Sequence, residues 1–361
     1  MKRTIGSVLP MVAGIIATGS ALAEDLPMAS PESVGMSTER LGRLDNVMHG
    51  WVDDGNLAGV VTLVARRGRV VHLDAYGLAD IENDEPMTKD TFFRLFSMTK
   101  PVTSVALLML YEEGKFQLGD PVARYLPEFE NVKVYGGVDA SGQVVLEEPV
   151  RAPTVRDIFR HTAGLSYGGL PEPIAHHYST SPYDEPSLEA LSLRVARAPL
   201  TYQPGTRWVY SFSHDIQARL VEVLSGQSFE DFTRERVFEP LGMDQVVFGL
   251  PSRLADRFAN TYSPGGDGRL AASDTPEDTD YDTPPFGGTS LSGPVMDYAR
   301  FAQMLVNSGE LDGARILSPA TVDLMASDHL PEGVTRGAAG GGAGVSMSSV
   351  FETMVYQAIV D

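Results

Sequence analysis

A serine and a lysine three positions apart are the residues of this sequence best suited to covalent chemistry. Ser97 and Lys100 enclose the tetrapeptide Ser-Met-Thr-Lys, the only S-x-x-K match in the 361 residues. On a helix, positions i and i+3 project from the same side, one turn apart. A serine hydroxyl is a weak nucleophile until a neighbouring base takes its proton, and a buried lysine amine can be that base. The spacing therefore predicts Ser97 as an acylated nucleophile with Lys100 beside it.

A tyrosine further along the chain is the candidate for the second group on the proton path. Tyr210 follows the segment Pro-Gly-Thr-Arg-Trp-Val and precedes a helical stretch. A phenol beside a lysine ammonium can have its pKa lowered, so Tyr210 and Lys100 could share the proton of Ser97. His161 is an alternative base, although a histidine that ends a helix and caps a turn is the commoner case. The histidines at 176 and 177 have no partner at metal-ligand spacing, so no metal site is expected.

The elements that position the nucleophile are a buried helix and a hairpin. From Met98 to Glu113 the chain is apolar on nearly every face, and Gly114 ends the run. A helix that is apolar all round is buried, and Pro101 is tolerated because it falls in the first turn. Upstream, two runs rich in Val and Leu between Ala58 and Tyr76 flank a turn that contains Gly. This pattern predicts a β-hairpin.

The rest of the chain is expected to supply helices and loops. Residues 115–270 alternate helical periodicity with Pro- and Gly-bearing segments. The stretch from Ser263 to Pro285 is rich in Asp, Gly, Thr and Pro, which predicts an exposed loop. The helix candidates are Val155–Arg160, Leu188–Ala198, His214–Leu224, Phe229–Phe238, Pro294–Leu305, Pro319–Met325 and, at the end of the chain, Phe351–Val360.

Composition narrows the classes of function. The formal net charge of −20 disfavours binding to nucleic acid, because that binding depends on clustered Lys and Arg. The absence of cysteine excludes disulfides, a thiolate nucleophile and a Cys-ligated metal. No apolar run after the N-terminal segment is long enough to span a bilayer.

The N-terminus has the pattern of a secretory signal peptide. Lys2 and Arg3 precede an apolar stretch from Ile5 to Ile16, and small residues follow up to Ala21-Leu22-Ala23. A positive segment, an apolar segment and an A-x-A site are the three parts of such a signal. We therefore expect residues 1–23 to be removed after Ala23, and residues 24–361 to form one domain in the periplasm or outside the cell.

At the residues described above, the sequence resembles the group formed by serine β-lactamases, D-Ala-D-Ala peptidases and family VIII carboxylesterases. The nucleophile motif of the group matches from Ser97 to Lys100, and its tyrosine motif, Y-x-N in class C β-lactamases, falls on residues 210–212. Further segments match in the same order along the chain, namely His161–Leu165, Pro204-Gly205, Leu241–Met243 and Gly287–Leu291. The similarity extends from about residue 30 to residue 330.

This resemblance implies an α+β fold, in which an antiparallel sheet flanked by helices is joined to an all-helical subdomain. The α/β subdomain would comprise about residues 24–95 and 285–361, and the helical subdomain about residues 96–284. The resemblance places acyl transfer in the cleft between them, with no cofactor. Its implied catalytic residues are Ser97, Lys100 and Tyr210, and its implied substrate is a small ester or a β-lactam-like molecule.

Two departures from the pattern of the group bear on activity. Phe212 replaces the Asn that in β-lactamases binds the acylamino group of the substrate, which favours compact or apolar esters. The third motif, K-T-G or W-G-G on a strand beside the cleft, is not recognisable among the roughly 30 residues after Pro331. Gly333–Gly344 is a tract of nearly all Gly and Ala that cannot supply the missing strands, so we expect an incomplete sheet from an internal deletion or a reading-frame fault. A lost oxyanion donor costs about 10²–10³ in rate.

The sequence therefore favours a serine carboxylic ester hydrolase that acts on short-chain esters through an acyl-enzyme. A class C-type β-lactamase or D-Ala-D-Ala carboxypeptidase is the alternative among hydrolases. From another class, a non-catalytic homologue with a deleted C-terminal region would fit the missing third motif. A purely structural or partner-binding protein would leave the ordered set of motifs unexplained.

Overall fold

The computed structural model describes residues 25–168, 170–274 and 284–334. It combines helices with antiparallel sheets, so the expected α+β class is confirmed. The expected signal peptide, the Gly/Ala tract Gly333–Gly344 except its first two residues, and the last helix candidate lie outside the described residues. The proposed subdomain boundaries stay a prediction. The helices are α1 (Thr38–Asp53), α2 (Thr99–Glu112), α3 (Val155–Phe159), α4 (Leu188–Arg197), α5 (Ser213–Ser225), α6 (Phe229–Thr233), α7 (Glu239–Leu241), α8 (Val295–Val306) and α9 (Pro319–Ala326).

The strands form small antiparallel sheets. One sheet has the order β1-β2-β3 and another has the order β4-β10-β7, while β5-β6, β8-β9 and β11-β12 are two-stranded. The strands are β1 (Gly59–Arg66), β2 (Arg69–Asp80), β3 (Glu85–Pro86), β4 (Phe93–Arg94), β5 (Val134–Val138), β6 (Val144–Glu147), β7 (Val247–Phe248), β8 (Thr261–Pro264), β9 (Leu270–Asp274), β10 (Leu291–Gly293), β11 (Glu310–Leu311) and β12 (Ala314–Arg315).

The hairpin predicted between Ala58 and Tyr76 is confirmed. Strands β1 and β2 pair from Gly59 opposite Gly77 to Arg66 opposite Arg69. The two residues between the strands, Arg67 and Gly68, both have positive φ angles, 54° and 72°. Two consecutive left-handed residues form the tight turn that matches the right-handed twist of paired strands.

Helix α2 runs through the apolar core, as its sequence predicts. Val102, Val105, Ala106 and Leu107 are all inaccessible to solvent, so no face of the helix is exposed along this stretch. The helix packs against α5. Burial on all sides removes the freedom to tilt or rotate, and the start of α2 is therefore a rigid position for a reactive group.

Strand β10 connects the last third of the chain to the start of α2. It lies between β4 and β7 in the second three-stranded sheet. The Leu95 N–H donates to the Leu291 carbonyl over 2.8 Å, and the Leu291 N–H donates to Thr99 Oγ1 over 3.0 Å. These bonds bring the glycines at 287 and 288, which precede β10, next to the first turn of α2.

Two segments differ from the expected helices and loops. The stretch 115–270 also contains the hairpin β5-β6, because the Val-rich runs Val134–Val138 and Val144–Glu147 flank a turn with Gly142 at a φ of 82°. The expected loop from Ser263 to Pro285 begins instead with strands of the hairpin β8-β9. Runs of β-branched or small residues on both sides of a glycine turn were the signal for both hairpins.

The helix expected over Phe229–Phe238 is interrupted. It begins as α6, continues as one π-helical stretch over Arg234–Phe238, and passes into α7. Pro240 lies in the first turn of α7 and has no N–H to donate to the preceding turn, which accounts for the local change of hydrogen-bond register. Among the described residues, no helix is both long and apolar enough to cross a membrane.

Candidate active site

Ser97 lies at a sharp entry into α2. It is the middle residue of a single 3₁₀ turn, Phe96–Met98, which leads directly into the helix. Phe96 has a φ of 42°, in the left-handed region that non-glycine residues rarely adopt, and its side chain is 49% exposed. An unfavourable backbone conformation persists only where surrounding contacts hold it, and such residues concentrate at functional sites.

The structure brings the three predicted site residues into direct contact. Lys100 Nζ donates to Ser97 Oγ over 3.0 Å, and the Tyr210 hydroxyl donates to the same oxygen over 2.8 Å. Lys100 Nζ lies 4.5 Å from the centre of the Tyr210 ring, and its residue is only 6% exposed. A neutral amine or a phenolate in either place could accept the serine proton along the same contact. The catalytic roles of these residues stay a prediction.

The glycine pair before β10 forms one wall of the site. The Gly288 carbonyl accepts a hydrogen bond from Lys100 Nζ over 2.8 Å, and the Gly287 carbonyl accepts one from Thr103 Oγ1 over 2.7 Å. A Cβ on Gly287 would lie 2.4 Å from the His214 carbonyl oxygen. The absence of a side chain at these positions therefore lets the backbone approach both α2 and the start of α5.

Asp215 is a buried residue of the site that the sequence reasoning missed. It is fully buried in the first turn of α5, and its Oδ1 accepts a hydrogen bond from the Gly288 N–H over 2.9 Å. Its Oδ2 accepts one from the Tyr183 hydroxyl over 3.2 Å. The signal in the sequence was an acidic residue five positions after Tyr210 at the start of an apolar helix.

The charge of Asp215 is set by opposing effects. Burial raises the pKa of its carboxyl, while the nearby positive charge of Lys100, the Gly288 N–H and the Tyr183 hydroxyl lower it, which leaves the pKa at about 6. The carboxyl is therefore ionised at neutral pH and protonated in mild acid.

His161, the alternative base, is placed beside the site. Its Nδ1 lies 3.1 Å from Ser211 Oγ, and its ring centre lies 4.9 Å from those of Tyr210 and His214. Burial, followed by the charge of Lys100, lowers the pKa of His161 to about 3. His161 is therefore neutral, is paired with Ser211 and packs against the rings of Tyr210 and His214. This placement agrees with a structural role for the histidine.

The side chain of Phe212 points into the protein interior. It is 1% exposed, and its ring centre lies 4.6 Å from that of Tyr167 and 5.2 Å from that of Tyr183. The Asn position of the Y-x-N motif is thus occupied here by a core residue that joins an aromatic cluster. No polar amide is presented to a substrate at this position.

A cluster of side chains on α1 and β2 has the composition of a cation site. Asp45, His49 and Asp74 offer ligand atoms within 4.8 Å of one another. His49 Nε2 lies 2.7 Å from Asp74 Oδ2, and its ring stacks on Tyr76 with centres 3.8 Å apart. His49 and Asp74 therefore already pair with each other, while Asp45 Oδ1 lies 3.4 Å from His72 Nε2, and all of these residues are on elements that do not carry Ser97, Lys100 or Tyr210.

Comparison with known proteins adds the family. The family model described as Beta-lactamase matches residues 44–351. Protein Rv1367c of Mycobacterium tuberculosis is 36% identical over 284 residues, which cover 78% of this chain and 70% of the relative. Esterase EstB of Burkholderia gladioli is 35% identical over 228 residues, which cover 62% of this chain and 55% of EstB.

A solved structure agrees with the sequence relatives. The fold is similar to that of EstCE1, described as a hydrolase with promiscuous acyltransferase activity, with a TM-score of 0.62 at 28% identity. The match covers 79% of this chain and 76% of EstCE1. The expected β-lactamase and penicillin-binding-protein-like fold is thereby confirmed. Because the family model spans most of its length, this chain belongs to the Beta-lactamase family, a family of serine hydrolases with esterase and acyltransferase members.

Proposed function

We propose that the chain is a serine carboxylic ester hydrolase that acts on short-chain esters. One observation carries the proposal: the Ser97 oxygen is in hydrogen-bond contact with both a buried amine and a phenol. Activation of a serine nucleophile requires an adjacent group that takes the proton of the hydroxyl, and here two groups are adjacent. Family membership and the esterase relative support the same choice.

The proposed reaction proceeds in two halves. Ser97 Oγ bonds to the ester carbonyl carbon while its proton passes to the Lys100–Tyr210 pair. The tetrahedral adduct then expels the alcohol, which takes that proton, and leaves an acyl-enzyme on Ser97. A water molecule activated by the same pair attacks the acyl carbon, and collapse releases the carboxylic acid and restores the serine hydroxyl. Because the two groups are close enough to be coupled, the transferred proton belongs to the pair.

The choice of esters over β-lactams rests on Phe212. Its buried ring replaces the amide that binds the acylamino group of a β-lactam, so the site offers fewer polar contacts to such a substrate. EstCE1 also suggests a second candidate, in which an alcohol takes the place of water and receives the acyl group. This acyl transfer would use the same acyl-enzyme and the same residues.

The proposed location is the periplasm or the exterior of the cell. It rests on the signal-like segment of residues 1–23 and on the A-x-A pattern that ends at Ala23. N-terminal sequencing of the exported protein tests this proposal, which requires a mature chain that begins at Glu24.

The decisive experiment compares wild type with Ser97→Ala on p-nitrophenyl acetate and butyrate. We expect the variant to lose at least about 10³-fold in kcat, since the covalent route is removed. Nitrocefin should be turned over far more slowly than either ester by the wild type. Full activity of Ser97→Ala would refute the proposal, and faster turnover of nitrocefin would favour the β-lactamase alternative.

Labelling by a fluorophosphonate separates an enzyme from a non-catalytic homologue. The probe reacts only with an activated hydroxyl, so wild type should be labelled and Ser97→Ala should not. A folded wild-type protein that is neither labelled nor active would support the non-catalytic alternative.

A further inference from the structure

We propose that Asp215 is a positioning residue of this site, whose carboxylate holds Gly288 so that the Gly288 carbonyl fixes the Lys100 amine beside Ser97. The inference deepens the proposed function and rests on it. Asp215 itself does not touch Ser97 in the proposal, and it acts through one glycine and one lysine.

The first step of the argument is a continuous chain of short contacts. Asp215 Oδ1 accepts from the Gly288 N–H over 2.9 Å, and the Gly288 carbonyl accepts from Lys100 Nζ over 2.8 Å. Lys100 Nζ in turn lies 3.0 Å from Ser97 Oγ. Each contact is within the range of a well-formed hydrogen bond, so a shift of Gly288 would move the acceptor that holds the amine.

The second step is that neighbouring groups restrict the position of the Gly288 backbone. The preceding peptide unit is held at both ends, because the Gly287 carbonyl accepts from Thr103 Oγ1 over 2.7 Å while the Gly288 N–H binds Asp215. A Cβ on Gly288 would lie 2.8 Å from Asp215 Oδ2 and 2.9 Å from the Tyr183 hydroxyl oxygen. The carboxylate and the glycine are therefore in close contact, and the fit depends on both.

The third step concerns charge. Asp215 is fully buried at the N-terminal end of α5, where the helix dipole favours a negative group. The positive charge of Lys100 lowers the pKa of Asp215, and by the same Coulomb attraction the carboxylate holds that positive charge in place. A positive Lys100 beside Ser97 favours loss of the proton from the contact between Ser97 and Tyr210 and stabilises the negative charge that develops during acylation, so an anion that keeps Lys100 there assists that step.

Among the titratable groups around its carboxylate, Asp215 is the one that changes charge in mild acid. Lys100 approaches from α2, while Tyr183 and Tyr167 approach from the segment before α4. Burial raises the pKa of both phenols, so they are neutral in the range from pH 5 to 8. Burial also lowers the pKa of the neighbouring His214, which is therefore neutral as well. Protonation of Asp215 at about pH 6 weakens its bond to Gly288 and removes the anion.

The test is the pH dependence of ester hydrolysis by Asp215→Asn between pH 5 and 9. Asn keeps the size of the side chain and an oxygen acceptor for Gly288 but has no charge. We expect kcat at pH 7.5 to fall about 10- to 100-fold with KM within about twofold, as for outer partners that orient a reacting group. In wild type, kcat should fall as the pH drops below about 6, which is the acid limb of its pH profile. This acid limb should be absent in Asp215→Asn. An unchanged kcat with an unchanged acid limb would overturn the proposal.

Asp297→Asn is the matched control. Asp297 is also a buried carboxylate in the first turn of a helix, and it accepts a backbone N–H, that of Gln245, over 2.8 Å. Its variant loses the same charge in the same structural setting away from Lys100, so its acid limb should match that of wild type. Loss of the limb in both variants would show a general effect of buried charge and would overturn the specific role of Asp215.

Tyr183→Phe provides a second readout if Asp215→Asn does not fold. The variant removes one donor to the ionised carboxylate, so the acid limb should move to higher pH while the limiting kcat changes less than threefold. An acid limb that stays in place would count against Asp215 as its origin. Loss of activity in Ser97→Ala must be shown in parallel, because an active Ser97→Ala would refute the proposed function rather than the role of Asp215.

Discussion

At the scale of single residues, the feature that matters most is the shared oxygen of Ser97. Lys100 and Tyr210 both reach it, and they also lie against each other, with the amine 4.5 Å from the centre of the phenol ring. In such an arrangement, both groups take part in the transfer of the Ser97 proton. Removal of either group should therefore damage the rate more than it damages substrate binding.

Tyr210→Phe tests this division. The variant keeps the ring beside Lys100 and removes only the hydroxyl that contacts Ser97. We expect kcat for p-nitrophenyl butyrate to fall about 10²–10⁴-fold, the usual contribution of a positioned acid or base, with KM nearly unchanged. Tyr125→Phe is the control, because the Tyr125 hydroxyl binds Asp120 in another part of the protein. A rate for Tyr210→Phe within threefold of wild type would exclude the phenol from the proton path.

Phe212→Asn tests whether the Y-x-N amide can be restored by one substitution. Because Phe212 is 1% exposed within an aromatic cluster, the new amide would be buried and would leave a cavity. We expect the free energy of unfolding to fall by about 3–5 kcal/mol, with no gain in nitrocefin turnover. Val306→Asn, at a position 54% exposed, should cost far less. Urea unfolding gives the stabilities, and efficient nitrocefin turnover by Phe212→Asn would contradict the buried placement.

At the scale of elements, the site depends on how closely the segment before β10 approaches α2 and α5. The backbone of Gly287 lies where a Cβ would be 2.4 Å from the His214 carbonyl oxygen and 2.7 Å from Ala218 Cβ. Both neighbours belong to α5, and neither is the end of a flexible side chain. The same Cβ would lie 2.9 Å from Thr103 Cγ2 of α2, so the close approach of this segment to both helices sets the distance between Gly288 and Lys100.

Gly287→Ala should force the segment and α5 apart. We expect a loss of about 1–3 kcal/mol in the free energy of unfolding, typical of overpacking, together with a lower kcat. Gly266→Ala is the control, since nothing lies within 4 Å of a Cβ built there. If the two alanine variants have the same urea midpoint and the same kcat, the close approach does not control the site.

At the scale of the whole molecule, a buried carboxylate links distant parts of the chain. Asp157 in α3 is inaccessible to solvent and contacts Arg151 and Arg160 over 2.5 and 2.9 Å. Arg160 also donates to the carbonyl of His329, more than 160 residues away in sequence, over 2.7 Å. These hydrogen bonds from Arg151, Thr154 and Arg160 outweigh burial and hold the pKa of Asp157 well below its ordinary value.

The lowered pKa predicts how stability responds to acid. A carboxyl whose pKa is lower in the folded than in the unfolded state contributes stability above the unfolded value of about 3.9, and the contribution is lost as pH falls below it. Asp157→Asn should therefore lose about 2–3 kcal/mol at pH 7, and the gap to wild type should narrow below about pH 4. Urea unfolding at pH 7 and pH 3 measures both gaps. The exposed Asp256→Asn is the control, and a gap that is constant with pH would contradict the assignment.

How much of this could be predicted depends on whether a contact is local in sequence. The buried helix α2, the hairpin β1-β2 and the contact between Ser97 and Lys100 follow from periodicity, turn residues and i, i+3 spacing, which act within a few residues. The link from Asp215 to Gly288 joins residues 73 positions apart, and no local pattern reveals it. The inward direction of Phe212 is likewise decided by tertiary packing against Tyr167 and Tyr183.

The π-helical stretch and the additional hairpins were missed for a different reason. The run Phe229–Phe238 has helical periodicity, which predicts one continuous α-helix. It gives no sign that Pro240 changes the hydrogen-bond pattern of the preceding residues, 234–238. The strands of hairpin β5-β6 lack the alternation of apolar and polar residues that usually marks a strand, and most of their residues are exposed.

The reactive centre is assembled from stretches around residues 97, 210 and 288, each separated from the next by more than 70 positions. A growing or unfolded polypeptide therefore carries an ordinary, unreactive serine, and the hydroxyl gains its reactivity only when the last of the three stretches arrives. Covalent labelling of Ser97 by an activity-based probe would thus report completed folding. A chain that has not finished folding would not hydrolyse esters.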